Sequence, residues 1–137
     1  MNIRKLNNNL FVADQLLLRD LNDLSQYGIN SIICNRPDDE GEEHLSSDFA
    51  GKKSLELNLN FKYLPVNSAN ITEKDVENQR QAIKDLPLPI LMYCKSGTRC
   101  ATLWALTEAN GQNNDKLIKN IEETGLNSNH VKYYINR

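Results

Sequence analysis

Ile90-Leu91-Met92-Tyr93-Cys94-Lys95-Ser96-Gly97-Thr98-Arg99-Cys100-Ala101-Thr102-Leu103-Trp104 decides how the rest of the chain is read. The first four residues form a short, continuous apolar run, as expected of a central strand covered on both faces. From Ala101 onward the residues favour helix, up to about Ala109, with Gly111 beyond. Between the two, six residues turn the chain, and Gly97 supplies the unrestricted φ that a tight turn needs. A turn of this kind points successive backbone N–H groups inward and makes a concavity for an anion. The N-terminus of the following helix adds positive potential at the same spot. Arg99 can place a planar fork of donors on a bound anion, and Lys95 adds charge beside it. Ser96 and Thr98 can hydrogen-bond within the loop. Each contribution favours thiolate over thiol at Cys94, and the thiolate is the nucleophile. Cys94 and Arg99 are therefore the expected catalytic pair, and Lys95, Ser96, Gly97 and Thr98 the expected anion-binding loop. The competing reading of Cys94 is an inert cysteine packed at a strand end.

Working outward, strands and helices alternate. Ile3 to Leu6 and Leu10 to Ala13 flank an Asn-rich turn and read as two strands. Leu17, Leu21 and Leu24 recur at helical spacing before Gly28, which predicts a helix over 16–27. Ile29 to Cys34 reads as a buried strand, and 35–43 as an acidic loop with Pro37 and Gly41. Residues 46–57 lean to helix, and Phe61 to Val66 to strand. Thr72 has the character of an N-cap, with Glu73 and Asp75 in a first turn where carboxylates suit the helix dipole. That helix should stop near Leu86, ahead of Pro87 and Pro89. Helices are also expected over 114–124, ending at Gly125, and after Ser128. The alternation argues an α/β fold: one domain spanning 1–137, with a central, mostly parallel sheet flanked by helices.

The composition bounds the partners. The chain has 137 residues, 39% hydrophobic and 25% charged, with a net charge of −2. That gives no global field to attract nucleic acid or an acidic membrane, so neither is expected as a partner. No apolar run approaches a membrane span, and the first residues lack the apolar core of a signal peptide. Three cysteines cannot form a complete disulfide framework, so a reducing cytoplasm is the expected setting. His44 and His130 have no metal-ligand spacing with the cysteines and read as solvated or packed. No Cys-x-x-Cys and no glycine-rich nucleotide fingerprint occurs, so neither metal nor cofactor is expected. Oligomeric state is open.

The run Tyr93-Cys94-Lys95-Ser96-Gly97-Thr98-Arg99-Cys100 resembles the active loop of the bacterial beta-lactamase-hydrolase-like family with a phosphatase-like domain. The resemblance extends to Ser31-Ile32-Ile33-Cys34-Asn35-Arg36-Pro37-Asp38, to Ile71-Thr72 and to Ala101-Thr102-Leu103-Trp104, and it covers most of residues 1–110. Members of that family are described both as dual-specificity-phosphatase-like in fold and as sulfurtransferases. The resemblance implies a cysteine-phosphatase-like architecture with the Cys94 loop at the carboxyl edge of the sheet.

Two chemistries compete for such a loop. Cysteine phosphatases have five residues between Cys and Arg, whereas this chain has four, the length of a rhodanese-type loop. A shorter bowl suits a single sulfane sulfur better than a tetrahedral phosphate. Tyr93 stands where phosphatases usually have His, and Cys100 where they usually have a hydroxyl residue. Val66-Asn67-Ser68-Ala69-Asn70 offers no acid to protonate a leaving oxygen. Sulfur transfer between thiols needs none when the leaving thiolate is already stable. The leading expectation is therefore rhodanese-type sulfur transfer through a Cys94 persulfide, with a small anionic substrate or a persulfide or thiol carrier as partner. The alternative is phosphomonoester hydrolysis through a cysteinyl-phosphate on Cys94, with Arg99 clamping the phosphoryl group. A third reading, of another class, is a non-catalytic anion-binding or redox-sensing module.

Accessory residues follow from their place. Cys100 could approach Cys94 and form a redox lock, although an inert helix cysteine is the plainer reading. Arg36 lies at a neighbouring strand end, where α/β sheets place their crevice. It could line the pocket mouth or pair with the adjacent carboxylates. Asp38, Asp39 and Glu40 could reach in from the same loop, against the plainer reading of a solvated acidic segment. Cys34, Tyr93 and Trp104 read as core.

Overall fold

The alternation of strands and helices closes into one five-stranded sheet. The computed structural model describes residues 1–137. Strands β1 (Ile3–Lys5), β2 (Leu10–Ala13), β3 (Ser31–Cys34), β4 (Asn60–Tyr63) and β5 (Ile90–Tyr93) lie in the order β1-β2-β5-β3-β4. Only β1 runs antiparallel, against β2; the other neighbours are parallel. The structural chain is thus α/β with a mostly parallel sheet, as the alternation predicted.

The period of two along β5 divides the core. Ile90 and Met92 face a cluster that also holds Val12, Ile33, Ala101, Trp104 and Ile121. Leu91 and Tyr93 face the opposite side, with Ile32, Leu21 and Leu24. All four β5 residues are fully buried. Helices α1 (Leu18–Gln26) and α2 (Ser47–Glu56) supply the second side. The first is supplied by α3 (Glu73–Asp85), α4 (Thr98–Glu108), α5 (Asn114–Glu123) and α6 (Asn129–Ile135). α4 is buried from Arg99 to Ala105, as befits a central helix with neighbours on all sides.

Element boundaries differ from expectation where backbone chemistry intervenes. The helix predicted over 16–27 begins at Leu18, because Leu17 is extended and its N–H donates to Asp20 Oδ2 at 2.8 Å. The strand predicted to reach Val66 leaves the sheet after Tyr63: Pro65 has no N–H for a ladder. Leu64 and Val66 still donate to Cys34 O and Asn35 O, at 2.9 and 3.0 Å. The ambiguous 46–57 segment is helical, and the Ser46 hydroxyl accepts from Phe49 N–H. At Thr72 the side chain accepts from Asp75 N–H, while the Asp75 carboxylate accepts from Thr72 N–H. This reciprocal cap fixes the start of α3.

Because β2, β3, β4 and β5 are parallel, their carboxyl ends share one edge, and the loops that follow them gather there. One buried polar pair ties this edge to α3. Asn35 Nδ2 donates to Gln79 Oε1 at 2.8 Å, and Gln79 Nε2 donates back to Asn35 Oδ1 at 3.0 Å. Both residues are fully buried. Replacing Gln79 by Leu strands half of this pair, so Gln79→Leu should lower unfolding stability by about 2 kcal/mol. Urea denaturation of the two proteins measures it, and an unchanged midpoint would refute the assigned role.

Candidate active site

Gly97 sets the geometry of the loop. Its φ is 96°, and an added Cβ would lie 3.5 Å from the Ala13 carbonyl oxygen on β2. Turned this way, the Gly97 N–H points back and donates to Cys94 Sγ at 3.1 Å. The N–H groups of Lys95, Ser96 and Arg99 find no acceptor within the chain. Unpartnered donors in a turn of this kind are what an anion bowl requires. The loop is anchored to the strand beside it by Gln15 N–H to Lys95 O, at 3.1 Å.

Cys94 is buried, only 1% exposed, and its pKa is lowered to about 6. The Cys100 thiol is the largest influence holding it down; burial works in the opposite direction. The Cys100 backbone N–H, the Arg99 charge and the Gly97 N–H add to the lowering. Donors and charge outweigh desolvation, so the sulfur is mostly thiolate at neutral pH. Cys100 behaves oppositely: wholly enclosed, it is pushed well above the ordinary thiol range by burial. It stays protonated and can donate. Its single S–H lies between Cys94 and Asn35 Oδ1, the latter at 3.2 Å, and the ionised sulfur is the stronger acceptor. All three cysteines are free. Cys34 is also pushed up by burial, and sits in the core with Tyr93.

Arg99 is 6% exposed and held on three sides. Its Nη1 donates to Asn35 O at 3.2 Å and Val66 O at 2.9 Å, and its Nη2 donates to Glu40 Oε1 at 2.7 Å. Its Nε is buried without a partner. The guanidinium therefore joins the loops after β3 and β4 to the Cys94 loop and keeps a donor in reserve.

Two readings of the acidic loop change. Glu40 is not a solvated carboxylate: it pairs with Arg99 and faces Arg36 Nε at 3.5 Å. Asp38 does not reach the site. Its two oxygens accept from Ser47 N–H and Ser47 Oγ–H, at 2.8 and 2.7 Å, which fixes the start of α2. Arg36 does not line the pocket mouth either. It is buried, donating to Gln15 Oε1 and Glu40 O, and so serves the carboxylate that holds Arg99.

A cavity of about 440 Å³ opens over Cys94. Lys95, Ser96, Thr98 and Arg99 line it from the loop and α4. The opposite wall is Ser68, Asn127, Asn129 and His130. His130 read as a solvated or packed residue in the sequence; the fold puts it in this wall. Its Nδ1 lies 2.9 Å from Thr102 Oγ1, and its Nε2 lies 2.8 Å from the Ser68 carbonyl oxygen. Tyr134 Oη donates to the same carbonyl at 3.1 Å and stacks edge-on against the imidazole. α6 thus clamps the 67–71 loop beside the cavity. Nothing in the local sequence signals this, since the contacts span more than sixty residues.

The family model for the beta-lactamase hydrolase-like protein, phosphatase-like domain, matches residues 2–111. The chain belongs to that family. The beta-lactamase hydrolase-like protein of Agrobacterium fabrum is 35% identical over 107 residues, covering 77% of this chain and 24% of that one. The chain spans about a quarter of the length of the curated relatives it matches. A Neisseria meningitidis crystal structure described as a "putative phosphatase" is 34% identical, with a TM-score of 0.88 over 98% of this chain and 96% of that one. TpbA of P. aeruginosa shares the fold at 14% identity, with a TM-score of 0.71 over 98% and 82% of the two chains. The architecture is a cysteine-phosphatase-like fold. These likenesses favour the phosphatase alternative over the sulfur-transfer reading that the loop length put first.

The influence assigned to Cys100 can be measured. Cys100→Ala should raise the Cys94 pKa by about one unit, as loss of a hydrogen bond to a charged group implies. Cys100→Ser, which keeps a donor, should raise it less. Thiolate absorbance followed against pH reports both, and an unshifted Cys100→Ala curve would contradict the assignment.

Proposed function

We propose that the protein is a cysteine-dependent phosphoryl hydrolase. The observation that carries this reading is Cys94 itself: a sulfur with a lowered pKa, enclosed by Gly97 N–H and the Cys100 donors, beneath a cavity lined by polar and charged residues. The thiolate attacks the phosphorus of a bound substrate, and the bond to the leaving oxygen breaks. A cysteinyl-phosphate remains on Cys94. The unpaired N–H groups of Lys95, Ser96 and Arg99, together with the Arg99 guanidinium, take the phosphoryl oxygens as charge builds on them. Water then attacks the phosphorus, the S–P bond breaks, and the sulfur leaves as the thiolate that the Cys100 and Gly97 donors stabilise. Membership of a phosphatase-like family, and the likeness to the Neisseria structure, support the same reading.

The four-residue spacing and the cavity wall keep a second reading in view. No Asp or Glu lines the cavity, and transfer of sulfane sulfur from thiosulfate to cyanide would need no acid.

The two separate cleanly. Hydrolysis of an aryl phosphate should be lost by about a thousandfold or more in Cys94→Ser. In the wild-type protein kcat/KM should rise with pH through about 6, because the sulfur is a thiol below that value and a thiolate above it. Sulfur transfer to cyanide without phosphate release would reverse the order of the two readings.

A further inference from the structure

Two properties of the cavity wall narrow the substrate, and the narrowing rests on the hydrolase reading above. The first is the want of a proton donor for the leaving group. No carboxyl lines the cavity; Glu40 is committed to Arg99, and Asp38 to Ser47. His130 is the one imidazole present, and both its nitrogens are engaged. A carbonyl oxygen only accepts, so the Nε2 proton belongs to the Ser68 contact. An alcohol leaves phosphorus as a strongly basic alkoxide unless it is protonated as the bond breaks. A leaving group that is already a stable anion needs no such help. A phosphate that carries an ester or a proton is one: its second ionisation lies at about 6.

The second property is polarity. Apart from Cys94 itself, every lining residue is polar or charged, and no phenyl, phenol or indole ring is among them. An aryl leaving group is also weakly basic, but it would have no apolar face to lie on. The wall presents hydrogen-bonding groups instead. Lys95 is exposed. Asn127 Oδ1 accepts from Asn129 N–H at 2.8 Å, which leaves the Asn127 amide nitrogen free. The Asn129 side chain has no partner in the chain. Amide and ammonium donors of this kind suit phosphate oxygens.

We propose that the substrate is a phosphoanhydride, cleaved at the terminal phosphoryl group of a diphosphate. Its second phosphate, the leaving group, lies against Lys95, Asn127 and Asn129. Cys94 S⁻ attacks the terminal phosphorus. The bridging P–O bond breaks, and its electron pair goes to the departing phosphate, which already carries its own ester or proton and takes none from the protein. Water then attacks the cysteinyl-phosphate, releases inorganic phosphate and restores the thiolate, its surplus proton passing to solvent.

Three probes given separately to the wild-type protein test this: inorganic pyrophosphate, phenyl phosphate and glycerol phosphate, each followed by phosphate release. Pyrophosphate should lead in kcat/KM and glycerol phosphate should trail. Asn129→Ala and Asn127→Ala should each lower the ratio of kcat/KM for pyrophosphate over phenyl phosphate by about tenfold, mainly through KM. A general structural loss would lower both substrates together and leave the ratio unchanged, which would remove the asparagines from the proposal. Phenyl phosphate ahead of pyrophosphate, or glycerol phosphate cleaved as fast as either, would overturn the phosphoanhydride assignment and leave the hydrolase reading standing. No release from any of the three would take down both.

Discussion

The turn from β5 into α4 passes through a left-handed backbone at Gly97, and the site follows from that conformation. Gly97 sits against the Ala13 carbonyl with φ in the left-handed region. A side chain there would be strained by the backbone, although β2 leaves ordinary van der Waals room for it. With the glycine in place, the amide is aimed at Cys94 Sγ and the following residues start a buried helix at once. One backbone choice therefore supplies both a donor to the sulfur and a helix start beneath it. Cys100, in the first turn of that helix, contributes its thiol and its backbone N–H to the same sulfur. The thiolate is a consequence of the turn, with burial as the opposing force that these donors overcome.

Arg99 acts first as a structural tie. Three acceptors from two other loops hold it, and Glu40 is in turn held by Arg36. Such a chain of buried charge and carbonyl contacts is costly to leave half made. Its effect is to fix the guanidinium in place, so an anion of the proposed kind would meet a group that needs little reorganisation. The Asn35–Gln79 pair extends this order into α3, because the backbone carbonyl of the same asparagine receives Arg99. The site is thus positioned from β3, β4 and α3 as much as from its own loop.

Most of the fold was legible because the decisive signals are local. The apolar run 90–93, the Thr72 cap and the leucines of α1 each carry their own periodicity or capping chemistry. The reactive loop was legible for the same reason: Cys94, Gly97 and Arg99 lie within six residues, where spacing alone fixes geometry. The rest depends on closure of the chain. Glu40 and Arg99 are 59 residues apart, and His130 and Ser68 are 62 apart. No periodicity reports such encounters. Asp38 and Glu40, two residues apart on one acidic loop, looked equivalent. The fold gives the first to Ser47 and the second to Arg99, because the loop turns between them to start α2. Loop length points to sulfur chemistry, and the family likenesses point to the phosphatase alternative. The cavity is wider than its loop, since its far wall comes from elsewhere.

That far wall has a separate origin in the chain. The family match ends at residue 111, while Asn127, Asn129 and His130 come from the segment that joins α5 to α6 and from α6 itself. The donors around the sulfur and, Lys95 and Ser68 apart, the rest of the facing wall are therefore carried by different stretches of sequence. They meet at Ser68, whose carbonyl is held by both His130 and Tyr134. α6 is short, and its place is secured by packing: Val131 and Ile135 lie in the core with α4 and α5. A change in α6 can thus alter what the cavity accepts while the Cys94 loop keeps its donors, since Gly97 and Cys100 make no hydrogen bond to that helix. The donors to Cys94 and the α6 wall are thus held by separate contacts, a division that suits a fold able to carry different sites on one loop.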